Sequence, residues 1–358
     1  MADVLELPAP RGEAWRWSAL DRLRAVAASP AGAPPAVPLL DLGGARLVFV
    51  DGVLDEAAST PGRVSVSSLS LATDHPLGRQ ATGTGWSLTL DAAQAETPIE
   101  IVHVATGGAN HLPARIVLGE DAVASVVETF VGPGWTNRLL QVELARSARL
   151  QRAVRVLGGD GFVTTRDEVQ VGQGGSYVAC ALAAGCSGVR FDAAITLGGD
   201  EAYGEMGGVL LTREEERHEC AVRVRHAAPN GQSHQTWRAV AADTSVASLA
   251  AAVEVARHAQ KTDGEQSLRG LLLQRTATVN LKPELEIFAD DVKCAHGATV
   301  GELDARALFY LASRGIAPAR AKALLTRAFV ADALDRIGNE TIRDAFAEDA
   351  DRWLEQAL

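Results

Sequence analysis

Residues 282–301 read KPELEIFADDVKCAHGATVG, and this stretch contains the main sequence signals for both the fold and the candidate site. Apolar residues alternate with polar ones over 284–293, a pattern that favours an extended strand. On a strand, successive side chains point to opposite faces, so Cys294 and His296 lie on one face. Within twenty residues the sequence therefore brings together a thiol and an imidazole on the same side of the backbone.

A thiolate and an imidazole are both good ligands for iron or zinc, but two ligands make only half of a tetrahedral site. Cys294 and His296 therefore predict a half-site that another chain completes. The alternative interpretation is a buried cysteine beside a hydrogen-bonded histidine. Gly297 and Gly301 predict a turn that leads the chain out of the strand.

The same stretch resembles the C-terminal core motif of the SufB/SufD family in its SufD form, PxLEIxADDVKCSHGATVG, with Ala295 where serine is usual. Residues 301–316, GELDARALFYLASRGI, are similar to the pattern GxxDeexLFYLrSRGI of the same family. The segment EAWRWSAL (residues 13–20) resembles its N-terminal pattern EeWkYTdL. SufB members carry a SAxxEHExxTSKI-type stretch in place of the cysteine-containing motif, and this difference favours the SufD form over the SufB alternative.

The resemblance implies a non-catalytic scaffold subunit that pairs with SufB through the β-helix and helps to supply iron. Cys294 and His296 match the motif, so they are expected to face SufB and to hold iron or an Fe–S cluster only transiently. The matched C-terminal segment is expected to bind the ATPase SufC, through Asp304, Phe309, Tyr310, Arg314 and Gly315. Direct iron binding, the completing SufB residues and a homodimer of the isolated chain stay open.

The body of the chain, residues 46–300, is a succession of short runs rich in Val, Leu, Ile and Thr, separated by Gly, Asp and Asn. This pattern predicts an all-β fold, either a sandwich or a solenoid. The scarcity of hairpin signals favours the solenoid, and the family resemblance implies a right-handed parallel β-helix. Residues 248–253 replace a usual Phe-Gly turn and are interpreted as an altered turn or coil.

Helical patterns flank this body. Residues 1–45 are predicted to form an N-terminal helical segment and linker, with Leu20, Leu23 and Ala27 on one face. Residues 301–358 are predicted to form a C-terminal helical domain whose first helix is capped by Asp304 and ended by Gly315. A second helix is expected to bury Ala321, Leu324, Leu325, Ala328, Ala331 and Leu334, and a third Ile342, Phe346 and Trp353.

Composition excludes several functions. A net charge of −11 argues against nucleic-acid or anionic-membrane partners. None of the four lysines, Lys261, Lys282, Lys293 and Lys322, stands in a phosphate loop, so the chain is not expected to hydrolyse ATP. Acidic residues near Met1 and the lack of an apolar leader predict a cytoplasmic protein, and the longest uncharged run is too polar to span a bilayer.

The other cysteines, Cys180, Cys186 and Cys220, have neither zinc nor cluster spacing and are predicted to be buried apolar residues. The remaining alternative is a carbohydrate-active β-helix enzyme with Asp290 and Asp291 as its acids. Adjacent strand residues point to opposite faces, however, and aromatic residues make up only 5% of the chain. Both observations disfavour the enzyme.

Overall fold

The computed structural model describes residues 7–9 and 12–358, apart from the Thr97 side chain. The acidic residues near Met1, on which the cytoplasmic prediction rests, lie outside the described residues. In chain order the strands and helices are α1 (Leu20–Ala27), β1 (Arg46–Val50), β2 (Val53–Leu54), β3 (Ser65–Ser70), β4 (Thr82–Leu90), β5 (Ala95–Val104), β6 (Ala109–Leu118), β7 (Val123–Val131), β8 (Trp135–Leu144), β9 (Arg149–Leu157), β10 (Phe162–Val171), β11 (Ser176–Ala184), β12 (Gly188–Leu197), β13 (Tyr203–Thr212), β14 (Arg217–His226), β15 (Gln232–Ala241), β16 (Val246–Val255), β17 (Asp263–Leu272), β18 (Thr278–Ile287), β19 (Lys293–Glu302), α2 (Ala305–Ser313), α3 (Pro318–Leu334) and α4 (Glu340–Ala357).

These strands form a parallel β-solenoid of about eight coils. From β4 onward successive strands alternate between two sheets, and each strand pairs in parallel with the strand two places further on. The first sheet runs β2-β1-β5-β7-β9-β11-β13-β15-β17-β19, and the second runs β3-β4-β6-β8-β10-β12-β14-β16-β18. The mainly β, parallel β-helix prediction is thereby confirmed, and the sandwich alternative is wrong.

The same backbone conformation recurs at the corners that lead from the second sheet to the first. In each of several coils one residue adopts a left-handed conformation, as Asn230 does at φ +56° and Lys261 at φ +63°. Its N–H donates to a carbonyl oxygen of the next coil: Asn230 N to Gln260 O at 2.9 Å, and Lys261 N to Asp291 O at 2.6 Å. The backbone ladder thus continues through the turns, which keeps the coils in register.

Stacked apolar side chains fill the space between the two sheets. One stack runs along the second sheet through aligned residues that are all buried: Leu118, Leu144, Val171, Leu197, His226 and Val255. Burial of one such aliphatic side chain contributes about 1.5–3 kcal/mol. His226 is the one polar member of this stack, and its Nε2 lies 2.8 Å from Ser233 Oγ.

An ionic cluster also lies inside the solenoid, where sequence reasoning found nothing. Arg138 and Arg152 each contact the carboxylates of Glu128 and Asp167, and Tyr177 Oη donates to Asp167 Oδ2 at 3.1 Å. Burial alone would raise the pKa of Glu128, but the two guanidinium groups outweigh it and hold that pKa well below its ordinary value. The charges are thus paired with one another, as burial requires.

The helices cover the outer faces of the two sheets. α1 packs on β8 and β10, with Leu20 and Leu23 buried against Trp135 and Phe162. α3 and α4 lie on the first sheet, and buried ion pairs hold them there, such as Arg155 Nη1 with Asp349 Oδ2 at 3.0 Å. Within the described residues, none of these helices is long and apolar enough to cross a membrane.

Two local predictions are wrong. Residues 248–253 form no altered turn, because they lie in β16, which pairs in continuous register with β14 and β18. In α3, Ala321 and Leu334 are buried as predicted, but Leu324, Leu325, Ala328 and Ala331 are not, and Thr326, Val330 and Ala333 are buried in their place. Which side of α3 is buried depends on how the helix packs on the first sheet. The predicted buried residues of α4 are confirmed: Ile342, Phe346 and Trp353.

Candidate metal half-site at the open end of the solenoid

The interior of the solenoid is covered at one end and open at the other. At the N-terminal end, β2 and β3 pair antiparallel with β1 and β4, and the interior residues Leu47 and Trp86 are fully buried. At the C-terminal end, β18 pairs only with β16 and β19 only with β17. Within the described chain, nothing pairs with the outer edges of these last two strands, so they present free backbone N–H and C=O groups. No residue of β18 or β19 is fully buried.

The segment that the sequence predicted as one strand is divided by a corner. β18 ends at Ile287, and residues 288–292 turn the chain into β19. Asp291 occupies that last corner, where its carboxylate pairs with Lys261. The predicted turn at Gly297 and Gly301 is wrong, because both lie within β19. A Cβ built on either glycine meets no atom within 4 Å, so no neighbour in the described chain requires a glycine there.

Cys294 and His296 do lie on one face of β19, as predicted from their spacing. In the parallel register Cys294 is opposite Gly264 and His296 is opposite Gln266 on β17. The next residue in this alternation is Leu268, which belongs to the main core between the sheets. Cys294 and His296 therefore occupy interior positions of the last coil, and they are accessible only because no further coil covers them.

The two candidate ligands have different surroundings. Cys294 is half-buried against a small apolar cluster that includes Val253 and Val255. Burial raises the pKa of the Cys294 thiol, although a backbone hydrogen bond involving Gly264 opposes the rise. The thiol is therefore protonated at neutral pH and must lose its proton to bind a metal. His296 is exposed, and its ring is open to solvent.

The pair does not make a complete metal site. Across the described residues there is no group of three or more His, Cys, Asp or Glu side chains placed to hold a metal ion. A tetrahedral iron or zinc site needs four ligands, so a metal at Cys294 and His296 would need two more from outside this chain. The half-site that another chain completes stays a prediction.

The predicted partner-binding residues lie on and beside α2, which follows the last strand, β19. Asp304 caps this helix, its carboxylate accepting a hydrogen bond from Arg306 N at 2.9 Å, and Gly315 follows it at φ +81°. None of the α2 residues is buried; Phe309 is 77% and Tyr310 57% exposed. The Arg314 guanidinium lies 5.3 Å from the Tyr310 ring centroid.

The other cysteines are buried, as predicted, and all four cysteines are free. Burial raises the pKa of Cys180 and of Cys186 to about 12, so both are inert thiols. Several histidines make a hydrogen bond within the core; His103 Nε2, for example, lies 3.2 Å from Glu128 Oε1. These residues offer no second candidate site.

Comparison with known proteins agrees with this architecture. The family model described as "SUF system FeS cluster assembly, SufBD core domain" matches residues 76–329. The chain belongs to this family, whose members are iron–sulfur cluster assembly proteins of the SUF system.

Its relatives place it on the SufD side of the family. The chain is 28% identical to the iron–sulfur cluster assembly protein SufD of Escherichia coli over 85% of its own length and 78% of that protein. It is 30% identical to the chloroplastic protein ABCI7 of Arabidopsis thaliana, over 64% of the chain and 50% of that protein. A SufBD family protein of Synechocystis is 37% identical over 36% of the chain and 28% of its own length. The chain is thus SufD-like.

Proposed function

We propose that this chain is a non-catalytic scaffold subunit that pairs through its open end with a SufB-type β-solenoid and holds iron or an Fe–S cluster transiently at Cys294 and His296. One observation carries the proposal: two metal-ligating side chains occupy interior positions of the last coil, where a closed solenoid would bury them. A second solenoid docked on this end would cover them and could supply the missing ligands.

The character of the open end supports a partner of that kind. The free edges of β18 and β19 can extend both sheets by backbone hydrogen bonds to another solenoid. Around them Ile287, Phe288 and Val300 expose apolar side chains, Phe288 to 60%. The open space at Gly297 and Gly301 lets a partner approach the backbone of β19 closely. The matching family model covers SufB and SufD together, which makes a SufB-type chain the fitting occupant.

The chemistry of the half-site suits a transient cargo. Binding of iron replaces the proton on the Cys294 thiol, while a neutral His296 ring offers a nitrogen lone pair. With only two ligands from this chain, the metal is held firmly only while the partner is docked. Movement of the partner would therefore both assemble and release the cargo. Supply of iron to the assembly is the role that this arrangement suits.

We also propose that α2 docks the SufC ATPase. The helix exposes the adjacent residues Phe309 and Tyr310, and none of its residues is fully buried. Aromatic residues of this kind are typical anchors of protein interfaces. The chain has no phosphate loop, so nucleotide hydrolysis must come from the partner.

Co-expression with SufB and SufC tests the assignment. We expect a stable complex that contains all three chains and, after reconstitution, iron and sulfide in amounts that the isolated chain does not retain. Iron and sulfide are measured on the purified complex and on the chain alone. A chain that binds neither partner, or that alone holds a tightly bound cluster, would refute the proposal.

A further inference from the structure

Two buried glutamines lie directly beneath His296 in the interior of the solenoid. Gln266 on β17 is opposite His296 in the parallel register, and Gln235 on β15 is opposite Gln266. Each of the two is only 1% exposed. Trp237 and Leu268, two residues further along the same strands, belong to the main core, so the glutamine side chains point inward.

The hydrogen bonding of these two amides is incomplete. Gln235 Nε2 donates to Ala252 O at 3.1 Å. Within the described residues, however, Gln235 Oε1, Gln266 Nε2 and Gln266 Oε1 have no hydrogen-bond partner. Leaving buried polar atoms unpaired is unfavourable, so protein interiors seldom do so. Three such atoms in adjacent side chains, one step below an exposed histidine, indicate a partner at the open end of the column.

We propose that the two amides and His296 form a hydrogen-bonded ladder, which makes Gln266 the positioning residue of the half-site. Gln266 Nε2 donates to Gln235 Oε1, and Gln266 Oε1 accepts the N–H of the His296 ring. Neighbouring strands lie about 4.8 Å apart, a separation that a glutamine side chain spans. The Ala252 carbonyl fixes the orientation of the first amide, and each amide then fixes the next. All three unpaired atoms gain partners in this arrangement.

The ladder decides which ring nitrogen of His296 can bind a metal. A neutral imidazole carries one N–H and one lone pair. With the N–H donated inward to Gln266, the lone pair faces outward, toward the position that the metal occupies in the proposed function on which this inference rests. Metal-ligating histidines commonly donate their other ring N–H to such an acceptor, which fixes the tautomer and the ring orientation. Gln266 itself does not touch the metal.

The tautomer of His296 can be read directly in the full chain without metal or partner. The ring ¹⁵N chemical shifts are measured by NMR at about pH 8, where an ordinary imidazole is neutral, and are assigned with His296→Ala. We expect one protonated and one lone-pair nitrogen in the wild type. In Gln266→Met, which keeps the length of the side chain but removes the amide, both shifts should move toward the averaged values of a free imidazole.

Leu268→Met is the matched control, because it changes a buried interior residue of the same strand outside the ladder; it should leave the His296 shifts unchanged. If Gln266→Met does not fold, Gln266→Asn is the substitute. It shortens the side chain by one methylene group, so the amide no longer reaches His296, and the His296 shifts should again move toward averaged values. Averaged shifts in the wild type, or equal changes in the control, would overturn the ladder. Because no partner is present, that result would leave the proposed assembly function standing.

Discussion

At the residue scale, position along the solenoid decides what a cysteine can do. Cys220 and Cys294 both occupy interior positions. Cys220 lies within the closed coils, where burial raises its pKa and keeps the thiol inert. Cys294 stands in the last coil, half-buried and beside an exposed histidine. The same residue type is thus a core residue in one coil and a candidate ligand in another.

Glu216 shows how burial changes the pKa of a carboxyl group and, through it, the stability of the fold. Burial, with a smaller contribution from the nearby charges of Glu214 and Asp243, raises the pKa of Glu216 from 4.5 to about 7, against the opposing effect of Arg213. Between these two pKa values the folded chain keeps a proton that the unfolded chain loses. Unfolding therefore releases a proton, and stability falls as the pH rises through this range.

We predict that Glu216→Gln stabilises the chain at about pH 8, by about 1 kcal/mol, and has little effect at about pH 5. The amide oxygen can still accept the hydrogen bond that Arg213 N donates to Glu216 Oε2 at 3.0 Å. Denaturant unfolding at the two pH values measures the difference. Glu56→Gln, at an exposed position outside this turn, is the control and should show no pH-dependent gain. A gain that does not change with pH would contradict the assignment.

At the scale of elements, β19 shows what the sequence could and could not predict. The prediction that Cys294 and His296 lie on one face was correct, because the alternation of side chains between the two faces is a local property of a strand. The turn predicted at Gly297 and Gly301 was wrong, because both residues pair with β17 in a continuous ladder, and glycine adopts extended as well as turn conformations. Gly264 and Gln266 were not recognised beneath the site, since only the register of β17 against β19 brings them there.

We predict that Gly297→Val leaves the isolated chain as stable as the wild type, or slightly more so, and lowers its affinity for a SufB-type partner by more than about 10-fold. The added side chain meets no atom of the chain within 4 Å, and valine is favoured in strands. It would, however, hold a docked partner away from β19. Thermal unfolding and binding titration measure the two effects. Thr299→Val, on the same face, is the control; equal binding by Gly297→Val would exclude close contact there.

α2 provides a second prediction at this scale. Phe309→Ala should weaken SufC binding by at least about 10-fold, which corresponds to about 1.4 kcal/mol, without changing stability, because the ring packs against nothing buried. Binding is measured by titration of SufC. Glu355→Lys on the exposed side of α4 is a control that should bind normally. Deletion of α3 and α4 would be a poor test, because they cover the apolar outer face of the first sheet.

At the scale of the whole molecule, the solenoid explains why some predictions held and others did not. Short strands without helices between them indicated an all-β body, and the helical stripes identified the three C-terminal helices. The buried face of α3 depends on the sheet beneath it, and the regular strand β16 depends on its neighbours β14 and β18. Such properties follow from coil stacking, which no local pattern encodes.

The open end is likewise a property of the whole chain. Interior residues of the first coil such as Trp86 and Ile101 are fully buried, whereas the last coil exposes two strand edges and two candidate ligands. In the proposed function, a cluster is assembled between two solenoids at this end. The His296 side chain is exposed at that end, so its removal should affect assembly far more than folding.

The most direct test is His296→Ala in the complex with SufB and SufC, with cluster yield and thermal stability measured on the same samples. We predict that cluster yield falls by at least about 10-fold, while the loss of stability stays within about 1.5 kcal/mol, the contribution of one hydrogen bond, and all three chains still co-purify. His258→Ala, at another exposed histidine, should assemble clusters normally. If the His296→Ala complex builds clusters in proportion to its folded fraction, His296 takes no part in cluster assembly.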